Sequence, residues 1–230
     1  MLPLLLLLLN SCPSNNLSFV ISRNANQVEL SELLEGYDYE YADNRSMQVT
    51  ISFAVRHVVL HSDTLSLWCE IFQKWQDSRL KYAGIKSITI PKNTKIWRPD
   101  TNFYESVTAS GAESLRLYAD GAICLKQQAI LTFPCTSNFV LQQSDLSVLN
   151  CSLTIGSFDN SGAESVVYRV GDVMLPKNLR DPIVAINYAI TAFQEVALNG
   201  ESMLQTVVQF LVESNQTIHC FNKADIYQNI

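Results

Sequence analysis

Three histidines, six cysteines and four Asn-X-Ser/Thr sequons are the residues of this 230-residue chain whose chemistry can be weighed first. His57, His61 and Asp63 fall at even spacing, so a single strand could turn all three to one side as ligands for a metal ion. Val59 interrupts the set and no second ligand cluster accompanies it, which leaves an ordinary solvated strand end as the better reading. No Gly-X-Ser-X-Gly elbow, zinc-ligand repeat or phosphate-binding glycine loop is present. A β-sandwich enzyme is therefore the weaker of the functional classes, and no cofactor or metal is expected.

The cysteines are at 12, 69, 124, 135, 151 and 220. Cys135 and Cys151 enclose Thr136 to Asn150, and closing a loop of that length contributes ~3 kcal/mol in the chain-entropy model. A disulfide is expected there. Cys69 and Cys124 lie in separate predicted strands and could either bridge or stay as two buried thiols, while Cys220 could be the unpaired one. The sequons, at Asn16, Asn44, Asn150 and Asn215, could each carry a glycan on a eukaryotic secretory route.

What must position these groups begins with the start of the chain. Met1 to Leu9 is nearly pure leucine and is followed by Asn10-Ser11-Cys12-Pro13-Ser14, as in a secretory leader, although the basic residues that usually precede such a run are missing. The rival reading, a lipoprotein box ending at Cys12, fits Asn10 poorly. Residues 1–14 are thus expected to be a leader, 15–214 one domain and 215–230 a polar tail. After residue 9 no apolar stretch reaches the ~20 residues needed to cross a bilayer. A secreted, extracellular protein is expected.

The chain is 47% apolar and 17% charged, with sixteen basic against twenty-two acidic side chains. That balance excludes a disordered tail and leaves no basic face for nucleic acid. The low charge content points to extensive burial or to protein contacts.

One helical pattern stands out, near 26–35, with Gly36 where a C-cap belongs. The rest reads as strand. Met47, Val49, Ile51, Phe53 and Val55 alternate with polar or small residues, and the same period of two returns at 87–90, 115–117 and 149–155. Asp120-Gly121 and Asn199-Gly200 are hairpin turn signals. Short strands with turns between them indicate an all-β, antiparallel β-sandwich with an N-terminal α-helix.

Five separated stretches resemble the extracellular ligand-binding domain of the Cys-loop, or pentameric ligand-gated ion channel, family. Its soluble relatives, the acetylcholine-binding proteins, are the nearest in organisation. Leu33-Leu34-Glu35-Gly36-Tyr37-Asp38 is similar to the family's LLxGYD, and Trp75-Gln76-Asp77 with Leu80 and Tyr82 to its WxDxxLxW. Ile96-Trp97-Arg98-Pro99-Asp100 with Tyr104 matches IWxPDxxxxY, Tyr118-Ala119-Asp120-Gly121 matches YSDG, and Asn150 to Phe158 looks like NCxLxFGSW. The resemblance implies about ten strands and a homo- or hetero-pentamer with one ligand pocket at each subunit seam.

It also implies an aromatic box for an ammonium ligand, whose ring faces are worth ~2 kcal/mol or more to a desolvated cation. Tyr104 matches the tyrosine of the first recognition segment, and Phe158 stands where nicotinic members have tryptophan. The third segment, between the last two strands, has the turn Leu198-Asn199-Gly200-Glu201 and no vicinal cysteines. Phe193 is the candidate there, with packing in the core as its competing role. On the complementary side Glu70 occupies a position where many subunits have tryptophan, and Trp68 is two residues earlier on the same side of its strand. A carboxylate at Glu70 would attract a cation without forming an aromatic cage.

The loop Thr136 to Asn150 carries Thr, Ser, Asn, two Gln and Asp in place of the family's apolar Phe-Pro-Phe, as solvent exposure favours. The expected function is that of a secreted, glycosylated, soluble binder of a small, amine-type ligand at the interfaces of a pentamer. The alternatives are the extracellular part of a channel subunit without its membrane portion, and a subunit that assembles or sequesters partners without binding ligand.

Overall fold

The computed structural model describes residues 29–137, 147–158, 165–198 and 201–215. The expected leader, Asn16, Cys12, Cys220 and the tail beyond Asn215 lie outside them. One short helix and ten strands follow in chain order: α1 (Leu30–Leu33), β1 (Ser46–Leu60), β2 (Thr64–Gln76), β3 (Ile88–Ile90), β4 (Thr101–Tyr104), β5 (Val107–Leu117), β6 (Ala122–Ser137), β7 (Ser147–Ser157), β8 (Ser165–Met174), β9 (Ile183–Leu198) and β10 (Glu201–Ser214). Within the 26–35 expected from periodicity the helix covers Leu30–Leu33, with Glu29 extended before it and Leu34 as its C-cap. Gly36 follows it with φ +73°, the left-handed conformation its lack of a Cβ permits.

The strands form two layers. One is β8-β1-β2-β6-β5-β3 and the other β4-β7-β10-β9, with β6 passing from the first to the second where Cys135, Thr136 and Ser137 pair with Cys151, Asn150 and Leu149. All pairs are antiparallel except β1 with β8, which run parallel. Alternation puts Leu65, Leu67, Cys69, Ile71 and Trp75 of β2 inside, facing Leu149, Cys151, Leu153 and Ile155 of β7 in one contiguous core. Phe133 and Phe210 meet there at 5.6 Å between ring centroids, and Trp75 meets Trp97 edge to face at 6.2 Å. Fully burying a side chain of this kind contributes about 2 kcal/mol, so the layers are held mainly by apolar area.

Three of the sequence motifs converge on one buried node. Asp77, fully inside, accepts from the Tyr37 hydroxyl at 2.7 Å and from the Arg79 guanidinium at 2.8 and 2.9 Å. The Tyr37 oxygen in turn accepts from the Trp97 amide at 3.2 Å, and the Arg79 guanidinium lies 4.4 Å from the Tyr37 ring centre. Burial pushes the Asp77 carboxyl up, but the hydrogen bonds from Arg79 and Tyr37 more than offset it and hold the group below its usual range. Burial, together with the bond to Asp77, pushes the Tyr37 phenol far above its ordinary value.

The fourth motif closes on the same node. Tyr118 and Gly121 bracket the β5–β6 turn, with the Gly121 amide on the Tyr118 carbonyl at 2.9 Å and φ +82° at Gly121. A Cβ there would collide with the Asp77 carbonyl oxygen, and the Asp77 amide donates to the Gly121 carbonyl at 3.0 Å. Only glycine satisfies both the conformation and the space.

Cys135 and Cys151 are joined across the β6–β7 ladder, with Cα atoms 4.0 Å apart. Cys69 is a free, buried thiol, which excludes the Cys69–Cys124 bridge considered from sequence. Cys124 is disulfide-bonded, and its partner lies outside the described residues.

Candidate functional site

Tyr104 ends β4, where it is paired with Thr154 of β7. Its half-buried ring lies over Gly156, whose absent Cβ would stand 2.9 Å from the ring edge, and its hydroxyl donates to the Ser157 carbonyl at 2.6 Å. The phenol is thus fixed from beneath. Phe158 follows Ser157 directly and is 72% exposed, its amide donating to the Asp100 carbonyl at 3.2 Å. Asp100 also receives the Ser157 hydroxyl at 2.6 Å, so one carboxylate and one carbonyl anchor the turn that presents Phe158. The two aromatics expected from the first and second recognition segments are therefore neighbours at the β4–β7 end. Phe193 falls within β9, but its side chain lies outside what the structure describes.

Trp68 and Glu70 are on the other layer. Both point outward from β2, since Leu67, Cys69 and Ile71 between and beyond them are buried. They line a groove of about 380 Å³ whose walls come from β1, β2, β5 and β6, and Tyr104 and Phe158 are not among its lining residues. Trp68, 49% exposed, meets His57 edge to face at 6.1 Å. A register shift between Val55 and His57 marks a bulge in β1 at the groove wall, and another irregularity between Ser110 and Glu113 of β5 faces it. Bulges of this kind re-aim side chains and open space beside a sheet.

Glu70, outward beside Trp68, is already ion-paired within the chain. Its carboxylate is not free for a cation: Arg56 Nη2 stands 3.0 Å from one oxygen and Lys126 Nζ 3.2 Å from the other. Burial pushes its carboxyl up, yet the bonds from Lys126 and Arg56 bring it below the usual carboxylate value. Lys126 also sits 5.5 Å from the centre of the Phe72 ring. One carboxylate between two cations leaves a net local charge of about +1 on this outward face of the sheet.

Arg56 went unrecognised in the sequence because the alternation of β1 made it one more outward residue. The usable signal was the β1–β2 hairpin, which brings an outward arginine beside an outward glutamate. Cys69, buried at the groove wall, has its thiol pushed up to about 12 by burial and then by the charge of Glu70. His57, His61 and Asp63 do not form a metal site, and no group of three His, Cys, Asp or Glu able to hold a metal ion occurs among the described residues.

Asn44 and Asn215 are exposed, whereas the side-chain oxygen of Asn150 is buried within β7. No helix among the described residues is long and apolar enough to cross a membrane.

The family model described as neurotransmitter-gated ion-channel ligand binding domain matches residues 27–227. The chain is also similar to gamma-aminobutyric acid receptor subunit alpha-2 of Homo sapiens, Rattus norvegicus and Bos taurus. Each is 27% identical over 150 residues, which is 59% of this chain and 33% of the relative. The chain thus spans about a third of the length of the curated relatives it matches.

Proposed function

The chain belongs to the neurotransmitter-gated ion-channel ligand-binding domain family, and from that premise we propose that it binds a small zwitterionic amino acid at the seams of an exported pentamer. A family of binding domains is not an enzyme class. In the proposed arrangement Tyr104 and Phe158 of one copy supply ring faces for the ammonium group. The groove of the next copy, lined by Arg56, Glu70 and Trp68, with Lys126 paired to Glu70 beside it, supplies the anion site. Because the two halves are on different layers of one chain, a heterologous ring contact is the economical way to bring them together.

The observation that carries this reading is the Arg56–Glu70–Lys126 trio. It narrows the expected amine to one that also bears a carboxylate, and it disfavours a bare quaternary amine. Gamma-aminobutyric acid, in the name of the similar receptor subunits, has both charges. Phe193 remains a candidate third wall. Exposure of Asn44 and Asn215 favours glycans there and passage through a secretory route.

The test is titration of the assembled protein with gamma-aminobutyric acid and, separately, with choline, followed by tryptophan fluorescence. Saturable quenching by the amino acid at concentrations where choline gives none is expected. No response to either would leave the assembly-only role in place of this one.

A further inference from the structure

Between α1 and β1 the chain runs Tyr37-Asp38-Tyr39-Glu40-Tyr41-Ala42-Asp43 through turns and bends, outside any strand. The three tyrosines alternate, and the structure separates them. Tyr37 turns inward onto Asp77. Tyr39 and Tyr41 turn outward, 39% and 57% exposed, and the carboxylates of Asp38 and Glu40 beside them are exposed as well. Arg79 holds this presentation by donating to the carbonyls of Asp38 and Tyr41 at 2.9 and 3.2 Å, which fixes the backbone and leaves the two phenols outside. A second, independent feature concerns the phenolic oxygen itself. Lys95 Nζ donates to the Tyr39 hydroxyl at 3.2 Å and lies 4.9 Å from its ring centre, so a cation already waits where an anionic group on that oxygen would stand.

We propose that Tyr39 and Tyr41 are acceptors of tyrosine O-sulfation. This rests on the export proposed above, because the transferases of that chemistry act within the secretory route. The donor is a nucleotide phosphosulfate anhydride. The phenolic oxygen attacks sulfur and forms an aryl sulfate ester. The S–O bond to the donor's phosphate breaks with its electron pair leaving on the nucleotide, and the phenolic proton passes to a base of the transferase. Exposed phenols in an acidic stretch suit an enzyme that reads carboxylates around its target. Lys95 then pairs with the new sulfate on Tyr39 in a charge-assisted hydrogen bond.

The folded chain supplies its own control. Tyr188 is equally open, at 41% exposure, but its neighbours Asn187 and Ala189 are uncharged. The purified chain is incubated with a tyrosylprotein sulfotransferase and radiolabelled phosphosulfate donor, and label is mapped by tryptic digestion. Label is expected on the peptide that ends at Arg45, reduced in each of Tyr39→Phe and Tyr41→Phe and lost in the double variant, with Tyr188 unlabelled. No label on that peptide, or equal label on Tyr188, overturns the proposal. Export is scored separately, by enzymatic glycan removal at Asn44 in chain collected from eukaryotic cells, so failure of export and failure of sulfation give different results.

Discussion

Two carboxylates, Glu70 and Asp77, each hold an arginine in this chain, one in the open and one in the core. Arg56 is set against Glu70 in a groove that is open to solvent, so the pair itself is worth little to stability. On the proposed function its weight falls on ligand choice. Arg56→Gln is expected to weaken an amino-acid ligand about tenfold, the size of one lost charge-assisted hydrogen bond, while leaving the unfolding midpoint within experimental scatter. Titration calorimetry beside a urea melt would check both halves of that statement. Asp77 behaves in the opposite way, because its carboxylate is fully buried and breaking a buried pair costs about 3 kcal/mol or more. Asp77→Asn should therefore lower stability by about that amount. Since the folded-state carboxyl lies below its usual value, the stabilisation is present above the unfolded value near ~3.9 and disappears as pH falls through the folded one. Urea midpoints measured downward from neutral pH should drop in acid, and should drop less steeply in Asp77→Asn. Equal slopes would mean that other carboxylates govern the acid limb. These roles were only partly legible in sequence: Asp77 was visible through its motif, whereas Glu70 could be placed on a face without its two cations being seen.

Strands and turns were the most legible level. Alternation at Met47 to Val55 became the inner face of β1, and Asp120-Gly121 became the β5–β6 turn. What alternation could not reveal was where a strand breaks its own rule. The bulge at Val55 to His57 changes which residues share a face, and it depends on pairing with β2, not on any local residue preference. The parallel pairing of β1 with β8 was illegible for the same reason, being a contact between residues more than a hundred positions apart. Two outcomes belong to this scale. Gly121→Ala should destabilise the β5–β6 turn by about 1 kcal/mol or more in a denaturant melt, since both its positive φ and the Asp77 carbonyl oppose a Cβ. Replacing both Cys135 and Cys151 by serine should cost ~3 kcal/mol, the chain-entropy value for their loop, with little change in circular dichroism at low temperature. A variant as stable as the parent would show that the β6–β7 ladder alone holds the crossing strand.

At the scale of the whole molecule the two halves of the candidate site face apart. Tyr104 and Phe158 crown the β4–β7 end of one layer, and Trp68, Glu70 and Arg56 lie on the outward side of the other. The family resemblance made the halves nameable from sequence, but neither the composition nor the strand pattern contains the rotation that would join them, because that is a relation between copies. The most direct measurement is complementation between two defective chains. Tyr104→Ala spoils the ring-bearing half of every site and Arg56→Gln the charged half, so neither variant alone should retain sites of the parent's affinity for gamma-aminobutyric acid, and at a concentration that just saturates the parent each should be mostly empty. Unfolded together in equal amounts and reassembled, they should regain about a quarter of the parent's binding capacity, from seams where both intact halves meet by chance. Recovery near that fraction is the predicted result. No recovery, from mixed assemblies whose mass is five times that of the chain, would contradict a site shared between copies.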